Sequence, residues 1–133
     1  FYRPYSRFGS SSQSIRYIYN KILIMGYSAN ATYEWGTVVD KEQEDDENDN
    51  YLSFTNYTGG GEIRFLFNKK ERRRQILQDY GLIPDGTVTK NPVLKSQDKG
   101  YEFMPQFAKQ VSAKQIVIPC TYRNYVCFAR VEF

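Results

Sequence analysis

Histidine is absent from all 133 residues. That removes the usual general base, the commonest transition-metal ligand and the side chain that titrates near neutral pH. A Ser–His–Asp or Cys–His nucleophilic site is therefore excluded. Cysteine is scarce. Cys120 and Cys127 fall short of a disulfide framework, and two thiols without histidine do not make a tetrahedral zinc site. The sequence leaves open whether they are bonded, and a reducing compartment is the expectation. Apolar runs are short, as at Ile22–Met25, against the roughly 18 consecutive residues of a membrane-spanning helix. No membrane partner is expected. No glycine loop leads a helix: Thr58-Gly59-Gly60-Gly61 lies between strand-like runs, which argues against a phosphate cradle. The carboxylates cluster in one polar segment, where the raised pKa of a glycosidase acid is hard to produce. No catalytic residue is assigned, and the expectation is a protein that is not an enzyme.

Charge is unevenly spread. No acid precedes Glu34, and the leader FYRPYSRFGSSSQS sets Arg3 and Arg7 among Phe1, Tyr2, Tyr5 and Phe8 before a serine-rich stretch. Residues 40–50, DKEQEDDENDN, carry seven acids and one lysine. With +3 overall and −6 in this segment, the remaining 122 residues hold +9. The cations concentrate in the leader through Lys21 (Arg3, Arg7, Arg16, Lys21) and in NKKERRR from Asn68 to Arg74. A basic body with one acidic loop has a polar electrostatic field that its small net charge conceals.

The patterning is that of an all-β domain. Ser14–Met25 is rich in β-branched and aromatic residues, Ala31–Val39 resumes an extended pattern, and Tyr51–Tyr57 and Glu62–Phe67 alternate with period two. Gly36 is a candidate bulge. One helix is expected near 69–80, with Asn68 as N-cap, Ile76, Leu77 and Tyr80 as its apolar stripe and Gly81 closing it. Short strands are expected at Thr87–Thr89 and Tyr101–Met104. Gln115–Thr121 and Tyr125–Phe133 read as a final hairpin, and a two-residue turn at Arg123-Asn124 would set Cys120 opposite Cys127. About seven to nine strands with one short helix predict an antiparallel β-sandwich, with residues 1–13 a flexible basic arm and 14–133 a single domain.

The acidic loop 40–50 invites a calcium reading. Asp46, Asn48 and Asn50 have the spacing of an EF-hand start, but Tyr51 stands where glycine is required and Tyr57 where glutamate is. No metal and no cofactor are expected; the carboxylates that would meet a calcium ion at a subunit interface are Asp45, Asp46 and Asp49. The sequons at Asn30 and Asn56 are candidate glycosylation sites. Arginine within a Tyr/Phe-interleaved arm can bind phosphates and stack on bases. The nucleic-acid-binding candidates are Arg3, Arg7, Arg16, Lys21, Lys69, Lys70, Arg72, Arg73 and Arg74.

A basic arm, an all-β body, a short basic helix between strands and a C-terminus ending within a strand at Phe133 together resemble the coat protein of a small icosahedral RNA virus of the satellite-virus type. The resemblance covers the whole chain in layout and has no diagnostic motif. It implies a jelly roll, a self-assembling shell on the order of 60 copies, genomic RNA as partner, and the virion as location, after assembly in the host cytoplasm. It also implies that Arg3, Arg7, Arg16 and Lys21, with more basic residues ahead of them, meet the genome, and that Lys69, Lys70, Arg72, Arg73 and Arg74 line the inner wall. The 12 Tyr and 9 Phe exceed what one small core needs, and the surplus suits subunit interfaces. The alternative is a non-enzymatic β-sandwich attachment module, of phage-decoration or cell-surface type, that needs no nucleic acid. A lipocalin-like barrel is disfavoured by the mid-chain helix.

Overall fold

The run EIRFLF at Glu62–Phe67 places apolar side chains on both parities of one strand, which only a strand covered on both faces can satisfy. It lies in the middle of three layers. The computed structural model describes residues 13–92 and 100–133. A long hairpin of β1 (Tyr17–Tyr27) and β2 (Tyr33–Asp45) forms the first sheet. The second is a meander of β3 (Thr55–Gly59), β4 (Glu62–Glu71), β5 (Arg74–Leu82) and β6 (Val88–Lys90), in that spatial order. In the third, β9 (Gln115–Tyr122) pairs with β10 (Tyr125–Glu132) on one edge. On its other edge β7 (Glu102–Phe103) and β8 (Lys109–Ser112) follow one another, joined by a 3-10 turn at Pro105–Phe107. All pairings are antiparallel.

Two apolar clusters hold the layers together. Phe65, Phe67 and Leu82 of the central sheet pack with Ile22 and Val39 of the first. On the opposite face Leu66 and Leu77 pack with Phe103, Ile116, Ile118, Cys120 and Val131 of the third. Each such fully buried side chain contributes about 1.5–3 kcal/mol. The all-β class and the packing of antiparallel sheets face to face are as expected, and the described strands form three sheets. The pairings among the described residues join sequence neighbours or, for β7 and β9, skip one strand. The exchange of distant strands that defines a jelly roll is not among them.

Trp35, the only tryptophan, clamps the first sheet to the second. Its ring lies on the backbone of Gly26, and a Cβ at Gly86 would come within 2.7 Å of it. Its indole N–H donates to the Pro84 carbonyl at 3.2 Å. Gly86 also takes φ 90° in the β5–β6 turn, a conformation that glycine adopts freely.

The central sheet carries a buried ion pair. Arg64 donates from Nε to Asp79 Oδ1 at 3.1 Å and from Nη2 to Asp79 Oδ2. Its guanidinium lies 4.5 Å from the centre of the Phe133 ring, which stacks on Tyr57. The side chain and backbone of Asp79 also accept from Asn91.

Three expectations are corrected. No helix spans 69–80: Lys69, Lys70 and Glu71 end β4, Arg72-Arg73 turn, and Arg74–Leu82 is β5. Ile76, Leu77 and Tyr80 mimic a helical stripe because β5 too is covered on both faces. Ile76, Gln78 and Tyr80 face one layer, and Leu77 and Asp79 face the other. The cationic first turn such a helix would have had opposes the helix dipole. Nor is 40–50 wholly a loop, since β2 runs to Asp45. There Val39, Lys41 and Gln43 are buried while Asp40, Glu42 and Glu44 are exposed, which is the period of a strand. Gly36 pairs regularly with Met25, and the irregularities fall elsewhere, opposite Asn20 and between Gly26 and Tyr27. The final hairpin has the expected register, with Cys120 opposite Cys127 and both thiols free. Arg123 and Asn124 take φ 46° and 66°, the two left-handed residues of a type I′ turn.

Candidate nucleic-acid and assembly surfaces

The basic run is the tip of the β4–β5 hairpin. Strand pairing continues to Glu71 and Arg74, leaving Arg72 and Arg73 as the two-residue turn. Arg72 takes φ 57°, a conformation that costs a side-chain-bearing residue about 1–2 kcal/mol. Lys70, Arg72, Arg73 and Arg74 are exposed, and none has an acid within ion-pair distance among the described residues.

The other described candidates, Arg16, Lys21 and Lys69, are engaged by the acidic segment. Arg16 meets Asp46 at 2.9 Å, Lys21 meets Asp40 at 2.6 Å, and Lys69 lies 3.8 Å from Glu42. The hydrogen bond and charge of Asp46 raise the Arg16 pKa, and those of Asp40 raise that of Lys21. These pairs are exposed, so water and salt leave them weak and exchangeable. Arg3 and Arg7 lie outside the described residues.

A concave groove of about 730 Å³ runs along this end of the molecule. Glu42, Glu44, Asp45, Asp46 and Glu47 line one wall, and Asn68, Lys70 and Gln75 line the other. The three aspartates offered to calcium do not converge. Asp45 Oδ1 accepts from the N–H groups of Glu47 and Asn48 at 2.7 and 3.1 Å, Asp46 holds Arg16, and Asp49 accepts from the Tyr19 hydroxyl at 3.1 Å. Among the described residues no three metal-ligating side chains are gathered.

Beneath the groove is a cation that sequence reasoning passed over. Lys41 is 2% exposed, lies between the rings of Tyr19 and Phe54 at 5.5 and 5.4 Å, and donates to Gln43 Oε1 at 3.1 Å. Gln43 in turn donates to the Asn68 carbonyl, and Asn68 Nδ2 to the carbonyls of Tyr51 and Phe103. This chain of bonds ties all three layers together. Burial pushes the Lys41 pKa down. The signal for it was the alternation of residues 39–43, hidden by reading the acids as a loop.

Two apolar surfaces were equally invisible. On the outer face of the first sheet Leu23 opposes Val38, and Tyr27 meets Tyr33 edge to face at 5.8 Å, with Met25 between them. All five are at least half exposed. On the outer face of the third sheet, Val126 and Phe128 are exposed. Because the first and third sheets cover opposite faces of the central one, these surfaces lie on opposite sides of the stack. Comparison with family models, curated proteins and solved structures finds no match to this chain, so its own residues carry the functional reading.

Proposed function

We propose that this chain is a non-enzymatic structural subunit that assembles with copies of itself into a coat enclosing nucleic acid. The observation that carries this reading is the pair of exposed apolar sheet faces on opposite sides of the three-layer stack. Contiguous apolar patches on a folded surface mark interaction sites, and two on opposed sides let each copy touch two neighbours. The hairpin tip lies at the ends of β4 and β5, the two inner strands of the central sheet, where its exposed cations can meet phosphates while the outer faces are occupied. The coat role therefore rests on these surfaces and on charge, and needs no jelly-roll connectivity. Arg3, Arg7 and Arg16 would add to the same contact from the leader.

Size-exclusion chromatography with light scattering, combined with the 260/280 nm absorbance ratio of nuclease-treated protein, tests it. A megadalton-scale particle holding protected nucleic acid is expected, with nucleic-acid content falling in an Arg72→Ala, Arg73→Ala, Arg74→Ala variant. A monomer with a clean protein spectrum at every concentration overturns it. One observation favours the attachment reading instead: Asp46, Asp40 and Glu42 already hold Arg16, Lys21 and Lys69. On that reading a small oligomer forms with no nucleic acid.

A further inference from the structure

An open sheet edge presents unpaired N–H and C=O groups to any strand that approaches, so folded proteins blunt their edges with bulges, prolines, short strands or inward charges. Among the described residues most edges are short, bulged or irregular. The β1–β2 pair is interrupted twice by extra residues on β2, and Lys41 points inward from that strand. β6 has three residues and β7 two; β3 runs into Gly59, and β8 slips register between Gln110 and Ser112. β10 alone is regular over eight residues, free of proline and bulge, and ends its sheet among the described residues.

The backbone phase of β10 follows from its turn. In a two-residue hairpin the flanking pair, Tyr122 and Tyr125, is hydrogen-bonded, so Cys127, Ala129 and Val131 also bond inward to β9. Phe133 continues the ladder, donating to the Lys114 carbonyl at 2.9 Å. The backbone groups of Val126, Phe128, Arg130 and Glu132 therefore face the open edge. Their side chains share the sheet's outer face, with Phe128 72% exposed.

We infer that β10 pairs antiparallel with β10 of a second copy across a two-fold axis at Ala129, joining two third sheets into one. This inference rests on the assembly reading above and names one of its contacts. The axis follows from charge. With Ala129 on it, Phe128 faces the partner's Arg130 and Val126 faces the partner's Glu132. The whole strand is used, and no like charges oppose. A shift of two residues one way sets Arg130 against the partner's Arg130. The opposite shift pushes Glu132 beyond the strand, against the partner's Asn124 in the turn. Phe128 beside a guanidinium also forms a cation–π contact, twice per dimer.

Phe128→Lys and Phe128→Glu separate this pairing from mere apolar contact, since both remove the same exposed ring. Lysine would meet the partner's Arg130 and glutamate would satisfy it. With circular dichroism and melting showing both variants folded, sedimentation velocity is expected to give at least about tenfold weaker self-association for Phe128→Lys. Phe128→Glu stays near wild type, and the double variant Phe128→Lys, Arg130→Glu recovers. Equal weakening by lysine and glutamate, or no recovery in the double variant, overturns the β10 pairing. If Phe128→Lys assembles as the wild type does, the coat reading stands and this contact falls. If the wild type never self-associates, both fall.

Discussion

Replacing Asp79 with Asn removes one charge from a pair with little access to water: the Asp79 side chain is 2% exposed and that of Arg64 18%. Removing one member of a buried pair strands the other, at about 3–5 kcal/mol. Two features place Arg64 at the low end. Glu62 Oε1 waits 3.7 Å from its Nε, and the Phe133 ring still covers one face of the guanidinium. The expected loss is about 3 kcal/mol, or about 10 °C in Tm for a domain of this size. Urea denaturation with linear extrapolation reads it directly. The same reasoning requires a second result. Arg64→Met with Asp79→Leu removes both charges and fills the space, so it should restore most of the loss and, against Arg64→Met and Asp79→Leu as the single variants, give a coupling of about 2–3 kcal/mol in the double-mutant cycle. A loss below about 1 kcal/mol for Asp79→Asn, or strict additivity in the double variant, would refute the view that this pair is desolvated.

Three further outcomes follow from single residues. Lys41→Met should raise stability by about 1 kcal/mol at neutral pH, because it removes a buried cation with no carboxylate partner. Burial holds the Lys41 pKa below 10.5, so the unfolded chain binds that proton more readily. The cost is complete below the folded pKa and disappears as pH rises toward 10.5; the gap between Lys41→Met and wild type in urea melts should narrow over that window. Gly26→Ala forces the Trp35 ring off its seat, with an expected cost of about 1–3 kcal/mol and a red-shifted tryptophan emission that unchanged fluorescence would disprove. Burial, with the Cys127 hydrogen bond second, pushes the Cys120 thiol up to about 12. Iodoacetamide at mildly alkaline pH should therefore modify Cys127 first and Cys120 only on unfolding, as counted by mass spectrometry. The Cys120 contribution has the opposite sign to that of Lys41: the unfolded chain loses its proton from about pH 9, so stability falls from there toward about pH 12.

What the sequence disclosed depended on whether a segment's neighbours were local. The β9–β10 hairpin was legible to the residue, Cys120 against Cys127 included, because alternation and a two-residue gap set its register within the segment itself. The turn at Gly60-Gly61, with φ of 62° and 80°, was legible for the same reason. β5 was not. Its apolar residues at 76, 77 and 80 satisfy a helical stripe and a doubly covered strand alike, and only the third sheet, packed from residues 103–131, decides between them. The acids of β2 misled in the reverse direction. Their outward alternation signals a strand, but their composition signals a loop, and burial of Val39, Lys41 and Gln43 against the central sheet settles the matter. Surfaces suffer most, since exposure of Leu23, Met25 or Phe128 is a property of which face remains uncovered.

The cations of the acidic segment and of the β4–β5 hairpin, with Arg16 and Lys21, fall into three populations, and binding to nucleic acid should distinguish them. Lys41 is buried and takes no part. Arg16, Lys21 and Lys69 are held by exposed acids and become available only if phosphate displaces those acids. Lys70, Arg72, Arg73 and Arg74 are free at the hairpin tip. Counterion release gives a slope of log affinity against log salt of about −0.7 per contacted phosphate on single strands. The tip alone therefore predicts a slope of about −3, and full displacement of the acids about −5. Arg3 and Arg7 would add to either value and can be replaced by Ala to isolate the body. A salt titration of single-stranded RNA binding to that variant reads which cations are engaged. A slope near −3 makes the acidic segment a screen that holds Arg16, Lys21 and Lys69 away from RNA, and a slope near −5 makes it a set of exchangeable counter-charges. Absence of salt-dependent binding removes nucleic acid from the function and leaves assembly through the apolar faces and the β10 edge.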